Sequence, residues 1–364
     1  MFCLLSPEEI RYFACENSVI AVHLNRTRCA MSAAEQNSDF DLSVIITCRN
    51  SLPMLPQCVG ALHPLMLMGE LRLEILVVDM GSDDGTTDYL EAEKNRWHIS
   101  DYVSCAFENR FEAMNRGLKL AKGRACLFIT PETELMIENT YACCENILKG
   151  KAASVFSTAV QVDSRTGIHR PQTPDAEHLF LRNLCNLAAF FCDSSLLRRL
   201  GGFDWSRYPS LADFDLMHRI LETALPYRVV PLSSCRQYSQ VRPDDDEQIH
   251  VDFLRFIALH REEILMRCRE HPSYAVRTVH EILRHAVRCD WPVESDTLLG
   301  IDALLRELGK VLRPIVRKKI TKRLYRRALA QAVFIPFKGL RRARITLKLC
   351  RSHLHVARLL NNGA

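Results

Sequence analysis

The sequence predicts an α/β fold, a mostly parallel sheet flanked by helices, followed by a helical carboxyl-terminal region. Two observations carry this. First, apolar runs at Leu42–Thr47 (LSVIIT), Leu73–Asp79 (LEILVVD) and Arg124–Thr130 (RACLFIT) read as strands buried on both faces. They alternate with helical-period segments of ten or more residues, the spacing of βαβ units. Second, from about 245 to 309 the period is helical throughout, with no strand pattern.

The elements follow in order. Residues 1–40 show no strong period and read as an N-terminal extension. Their first ten residues are too acidic, with too short an apolar run, for a signal peptide. After the strand Leu42–Thr47, a helix over Leu52–Met68 is entered through Pro53. The strand Leu73–Asp79 leads to a helix over Thr86–Arg96, a weak strand over Tyr102–Phe107 and a helix over Phe111–Ala121. Gly123 stands where a left-handed helix cap is expected, before the strand Arg124–Thr130. Right-handed crossovers are the default between such strands. Residues 150–240 are less regular, with strands expected at Ala153–Val162 and Tyr227–Pro231 and a helix over Leu211–Thr223. The organisation is thus an α/β domain over 41–244, a helical region over 245–309 and a tail over 310–364.

The bulk numbers suit a soluble globular protein: 48% hydrophobic and 25% charged residues over 364 positions. No run of eighteen apolar residues is present, so no spanning helix is expected. The fifteen cysteines are scattered, odd in number and free of CxxC, which argues for reduced thiols in a cytoplasmic compartment. Lone residues such as Cys48 and Cys126 read as small apolar side chains. His280 and His285 are five apart and do not share a helical face as an HExxH zinc site requires.

Charge is unevenly distributed. Residues 310–364 hold sixteen Lys/Arg and no Asp or Glu, leaving 32 basic and 43 acidic residues elsewhere, a net of −11. Within the tail Val316, Ile320, Leu324, Ala328 and Ala332 form an apolar stripe among basic residues. A helix of this kind is expected on an anionic membrane surface, each nearby cation contributing roughly 1 kcal/mol. A solvated helix on the acidic body is the plainer alternative. Nucleic acid is disfavoured because few aromatic residues interleave the charges.

Three places carry chemistry. Asp79 ends a buried strand and precedes a polar turn, Gly81-Ser82-Asp83-Asp84-Gly85, where open α/β sheets bind ligands. Three acids within six residues repel phosphate, so this turn suits the base and ribose of a nucleotide. Asp83 and Asp84 read mainly as turn formers. The run Phe128-Ile-Thr-Pro-Glu-Thr-Glu-Leu135 ends a strand in an acidic turn, a geometry for Mg²⁺ or Mn²⁺ bridging a diphosphate. Asp213, opening a helix, is positioned for general-base work. Asp215 reads as structural and Arg219 as the partner of a local acid.

The order of these blocks resembles glycosyltransferase family 2, the inverting nucleotide-sugar transferases of the GT-A fold. The matching pieces are LSVIITCRN (42–50), LVVDMGSDDGT (76–86), FEAMNRGLKLAKG (111–123), FITPETEL (128–135), GGFD (201–204) and DFDLMHR (213–219). Position by position, the resemblance implies base recognition by Asp79, further nucleotide contacts from Thr47, Cys48, Asn50, Asn115 and Arg116, metal binding by Glu132 with Glu134 in support, and catalysis by Asp213. The cofactor implied is a divalent metal, Mg²⁺ or Mn²⁺. The donor implied is a nucleotide sugar of uridine or thymidine type. The acceptor implied is a hydroxyl of a glycan or lipid-linked glycan in cell-surface polysaccharide synthesis, which suits a protein peripheral on the cytoplasmic membrane face.

Two departures bear on activity. Thr130 stands where the family's acidic turn begins with a carboxylate, and Ala212 replaces the Glu of the Glu-Asp pair. They motivate an alternative, a catalytically impaired nucleotide-sugar-binding relative. A methyltransferase using S-adenosylmethionine is a second alternative, because Asp79–Gly85 loosely mimics a glycine-rich cofactor loop, although Asp83 occupies the place of its middle glycine.

Overall fold

A computed structural model describes residues 38–96, 98–175, 180–181, 184–239, 247–289 and 293–316. Residues 1–37 of the extension and 317–364 of the basic tail lie outside them. Strands β1 (Phe40–Cys48), β2 (Leu73–Asp79), β3 (Asp101–Ser104) and β4 (Gly123–Ile129) pair in parallel in the order β3-β2-β1-β4. The connecting helices are α1 (Leu55–Leu67), α2 (Thr86–Asn95) and α3 (Arg110–Leu120). The chain moves outward from β1 to β3 and then crosses back to β4. The carboxyl ends of β1 and β4 therefore flank the point where strand order reverses, the usual location of a ligand crevice.

The sheet continues through β8 (Phe190–Asp193), β6 (Ser154–Asp163), β9 (Tyr227–Ser239) and β5 (Thr133–Leu135), with β7 (His169–Gln172) paired to β6. β8 runs antiparallel to both β4 and β6, making the sheet mixed. At four residues it is too short to show a period, so the sequence reading passes over it.

Both faces of the sheet are covered, as the unbroken apolar runs require. Alternate residues of β1 divide between them. Leu42, Val44, Ile46 and Cys48 join α1 and α4 (Ile137–Leu148) in one core, and Ile45 joins α3, α5 (Ser194–Arg199) and α6 (Ala212–Glu222) in the other. A third core unites α7 (Glu247–Leu259), α8 (Arg261–Glu270), α9 (Pro272–Arg288) and α10 (Ser295–Val316). Tyr208, Leu211 and Phe214 enter that core from the α/β layer, so the helical region is packed onto the segment leading into α6.

Two expectations are corrected. Gly123 has no left-handed backbone; it opens β4, and a Cβ there would lie 2.5 Å from the Ser43 nitrogen and 2.8 Å from the Leu42 carbonyl carbon. Close approach of two strands, rather than a helix cap, demands glycine. The strand expected to stop at Pro231 runs on to Ser239. Its pairing with β6 passes from Val230–Ser157 to Ser233–Thr158, so a bulge absorbs the proline, which lacks an N–H for the ladder.

Gly123→Ala should therefore lower unfolding free energy by about 2–3 kcal/mol, the range for overpacking against an unyielding neighbour. Urea denaturation followed by circular dichroism measures it, and a change within about 0.5 kcal/mol would refute the close-approach account.

Candidate active site

The carboxyl ends of β1 and β2 hold a tightly bonded turn. Asp79 is fully buried. One of its oxygens accepts from the Ser82 hydroxyl; the other accepts from the Ser82 amide (3.1 Å) and the Ser104 hydroxyl (2.6 Å). Asn50, with a left-handed φ of 49°, clasps the two loops together: its amide donates to Ser82 Oγ (2.8 Å) and its Oδ1 accepts from the Asp83 amide (3.0 Å). Asp84 accepts from Leu52 N and from the amide and hydroxyl of Thr86, and the Thr86 hydroxyl holds its carboxyl below the usual range. Thr47 and Cys48 are buried beside this turn. Burial, with Asp79 adjacent, raises the Cys48 thiol far above its ordinary pKa, so it is a small protonated packing group.

Asn115 lies elsewhere. Its Nδ2 donates to the Phe203 carbonyl (2.8 Å) and its Oδ1 accepts from the Phe203 amide (2.9 Å), so both polar ends of the side chain are committed to the backbone of the Gly201-Gly202-Phe203 turn. Gly202 has φ +70°, and a Cβ on it would come within 2.2 Å of Asn115 Oδ1. Arg219 grips the same turn from α6, donating to Leu200 O and Gly202 O (2.7 Å each) while its Nε pairs with Asp215 (2.7 Å). Phe203 seals the arrangement by stacking on Phe111 and meeting Phe128 edge-on. Arg116 is exposed on α3. Asn115 and Arg116, expected near a nucleotide, thus occupy a structural turn and an outer helix face.

This clamp delivers Asp213 to a groove of about 930 Å³. Asp213 sits in the first turn of α6, 8% exposed, with its Oδ1 accepting from the Phe214 amide. Opposite stands Thr130, just beyond β4, and Arg110 and Met114 reach in from α3. Four carboxamides also line the groove: Gln161, Gln172, Asn186 and Gln237. They bond one another in a chain from Gln161 through Gln172 and Asn186 to Gln237. From the helical region, Glu281, Arg284 and His285 of α9 complete the wall. The sequence reading missed Arg110 and the carboxamides. Arg110 had a visible signal, as the first helical residue after the capping Asn109, whereas the carboxamides meet only once strand register is fixed.

The acidic turn does not assemble as a metal cage. Glu134 pairs with Arg236 (3.3 Å) and accepts from the Tyr238 hydroxyl (2.7 Å). Arg236 and Tyr238 alternate along β9 with the groove-lining Gln237, so Glu134 lies on the opposite strand face from the groove. Glu132 is half-buried, and among the described residues it belongs to no cluster of three or more metal-ligating side chains. Thr130 Oγ is buried with no hydrogen-bond partner among the described residues, a poor stand-in for a carboxylate. The donor set at this edge does not fit a protein-built divalent site.

Residues 43–204 match the model of glycosyl transferase family 2. Over that segment the chain is similar to the family 2 glycosyltransferases. No curated protein matches the chain. Among solved structures, S. aureus TarS superposes with a TM-score of 0.51 at 16% identity over 87% of this chain. The match covers 54% of TarS, so the chain spans about half the length of that protein. TarS 1–349 in complex with UDP-GlcNAc gives 0.51 at 15% identity, covering 80% of this chain and 88% of that one, and the UDP complex gives 0.50 at 17% over the same shares. At such identity the likeness establishes the GT-A fold. The match also speaks against the methyltransferase alternative, because the turn after β2 belongs to the matched segment.

Asn115→Ala strips both hydrogen bonds from the Phe203 backbone and should cost about 2–3 kcal/mol of stability. Urea denaturation followed by circular dichroism measures the loss, and a change within about 0.5 kcal/mol would refute the clamp.

Proposed function

We propose that the protein is an inverting glycosyltransferase that moves a sugar from a nucleotide-sugar donor to an acceptor hydroxyl. One observation carries the reading: a doubly clamped turn delivers Asp213 into a groove lined by carboxamides. Neutral amide groups match the paired donors and acceptors of sugar hydroxyls. A buried carboxylate at the helix start is suited to take the acceptor's proton.

The base and ribose lie over the β1–β2 turn, against Thr47, Asn50 and the loop that Asp79 holds. Since the Asp79 oxygens are already bonded to Ser82 and Ser104, Asp79 shapes this subsite, and direct contact with a base requires one hydroxyl to swing away. Strand ends β1 and β4 are neighbours, about 4.8 Å apart in the hydrogen-bonding direction. The diphosphate and sugar therefore continue past Thr130 into the groove. Asp213 removes a proton from the acceptor oxygen as it attacks the anomeric carbon. Arg110, on the groove rim, supplies positive charge for the departing nucleoside diphosphate. The acceptor enters between the sheet and α9. The TarS complexes contain UDP and UDP-GlcNAc, which makes a uridine diphosphate sugar the first donor to test.

Asp213→Asn should lower transfer or donor hydrolysis about 10²–10⁴-fold, the usual contribution of a general base, with UDP affinity within about three-fold of wild type. A mass-spectrometric donor screen identifies the sugar. If no plausible donor gives Asp213-dependent turnover while UDP still binds, the protein is a binding relative in which Thr130 and Ala212 mark lost chemistry.

The acceptor we propose is a lipid-linked glycan, reached through the basic tail. The sixteen tail cations support this, and no helix among the described residues is long and apolar enough to cross a membrane. Sedimentation with anionic liposomes should fall as salt rises and should be lost on deleting residues 310–364. Unchanged sedimentation after the deletion would refute it.

A further inference from the structure

On the side of α6 that meets the helical region, His218 and Glu222 stand one turn apart, and His260 lies where α7 ends and α8 begins. One ligand atom from each lies within 4.8 Å of the others. His218 is 2% exposed, and its Nδ1 has no hydrogen-bond partner among the described residues, although Glu222 Oε1 is 3.4 Å away. Its ring packs on Phe180 (4.4 Å), Phe256 (5.2 Å) and His260 (4.6 Å). A core aromatic role explains the ring contacts but leaves a buried polar nitrogen unsatisfied, which carries a desolvation cost.

We propose that His218, Glu222 and His260 form a site for a transition-metal dication of the Zn²⁺ class, joining α6 to the α7–α8 corner. The donor chemistry is two imidazole nitrogens and one carboxylate oxygen, a set suited to zinc that leaves a fourth position for water. Tetrahedral bonds of about 2.0–2.1 Å place ligand atoms about 3.4 Å apart, the spacing His218 and Glu222 already have. The outer shell is present too. His260 Nδ1 lies 2.9 Å from Glu263 Oε2, so donation of that N–H leaves Nε2 as the lone-pair nitrogen. Nearby cations are offset: Arg219 pairs with Asp215, and Arg267 lies over the Phe180 ring. None of the three ligands lines the groove, so the site is separate from sugar transfer and stands whether or not that reading holds.

The test uses tag-free, full-length protein, stripped with chelator and titrated with Co²⁺ and then Zn²⁺. One equivalent of Co²⁺ per chain should bind, with visible bands of tetrahedral intensity that Zn²⁺ displaces. Because changing buried His218 risks the fold, the informative variants are at the partly exposed positions. His260→Gln and Glu222→Gln should each weaken Co²⁺ binding at least ten-fold. Glu263→Gln should weaken it 10–100-fold by removing the outer carboxylate. Glu132→Gln should leave it unchanged. Absence of the bands in the wild type, or equal binding in all four variants, overturns the site.

Discussion

The architecture of the site rests on the clamp around the Gly201-Gly202-Phe203 turn. This turn joins the α/β layer to the segment that becomes α6, and three unrelated parts of the chain hold it. Asn115 supplies a two-point amide grip on Phe203, Arg219 holds two carbonyls, and Phe111 and Phe128 enclose the Phe203 ring. The left-handed backbone at Gly202 leaves room for Asn115 to approach. Each element alone is worth a kcal/mol or two. Together they fix the angle at which α6 leaves the sheet, and hence where Asp213 stands.

Asp215 and Asp213, two residues apart on α6 and similarly buried, meet different surroundings. Asp215 faces the clamp, where burial raises its pKa while the adjacent Arg219 opposes that rise. Asp213 faces the groove. Ala212, between Leu211 and Asp213, is fully enclosed in the core with Phe128 and Phe156. The position that in the family carries a Glu is therefore part of the packing here, and an added carboxylate would lack a polar partner in that cluster. Thr130, with its orphaned hydroxyl, lines the groove that Asp213 enters. Both departures remove negative charge from the same neighbourhood, which leaves Asp213 as the carboxylate on the groove's α6 side.

Much of the fold was legible because the parallel strands are buried on both faces, and runs such as LSVIIT have few other stable homes. Short strands were not. β8 is four residues long, and its place between β4 and β6 follows from tertiary pairing alone. The site divided in the same way. The pattern alone puts Asp79 at a strand end and Asp213 at a helix start, and both stand there. The partner of Asn115 was not legible, because it lies 88 residues away on a backbone that no side-chain pattern advertises. Glu134 was misplaced for a related reason. Its face is decided by the pairing of β5 with β9, and a one-residue change in that register would have turned it toward the groove.

The position of α6 also ties the two halves of the protein together. Its first turn meets the groove through Asp213, and its later turns meet α7 and the corner before α8 through His218 and Glu222. Phe214 lies in the core of the helical region. The α9 residues Glu281, Arg284 and His285 complete the groove wall. On the proposed function, donor and acceptor subsites are built from different layers: the donor side by strand ends and a bonded loop, the acceptor side by helices docked on α6. Changes in the helical region would then reshape what the groove accepts while the donor turn stays as it is. The constraint on such changes is the packing of Tyr208, Leu211 and Phe214 that holds the helices against α6, since loosening it would move the groove wall and the base together.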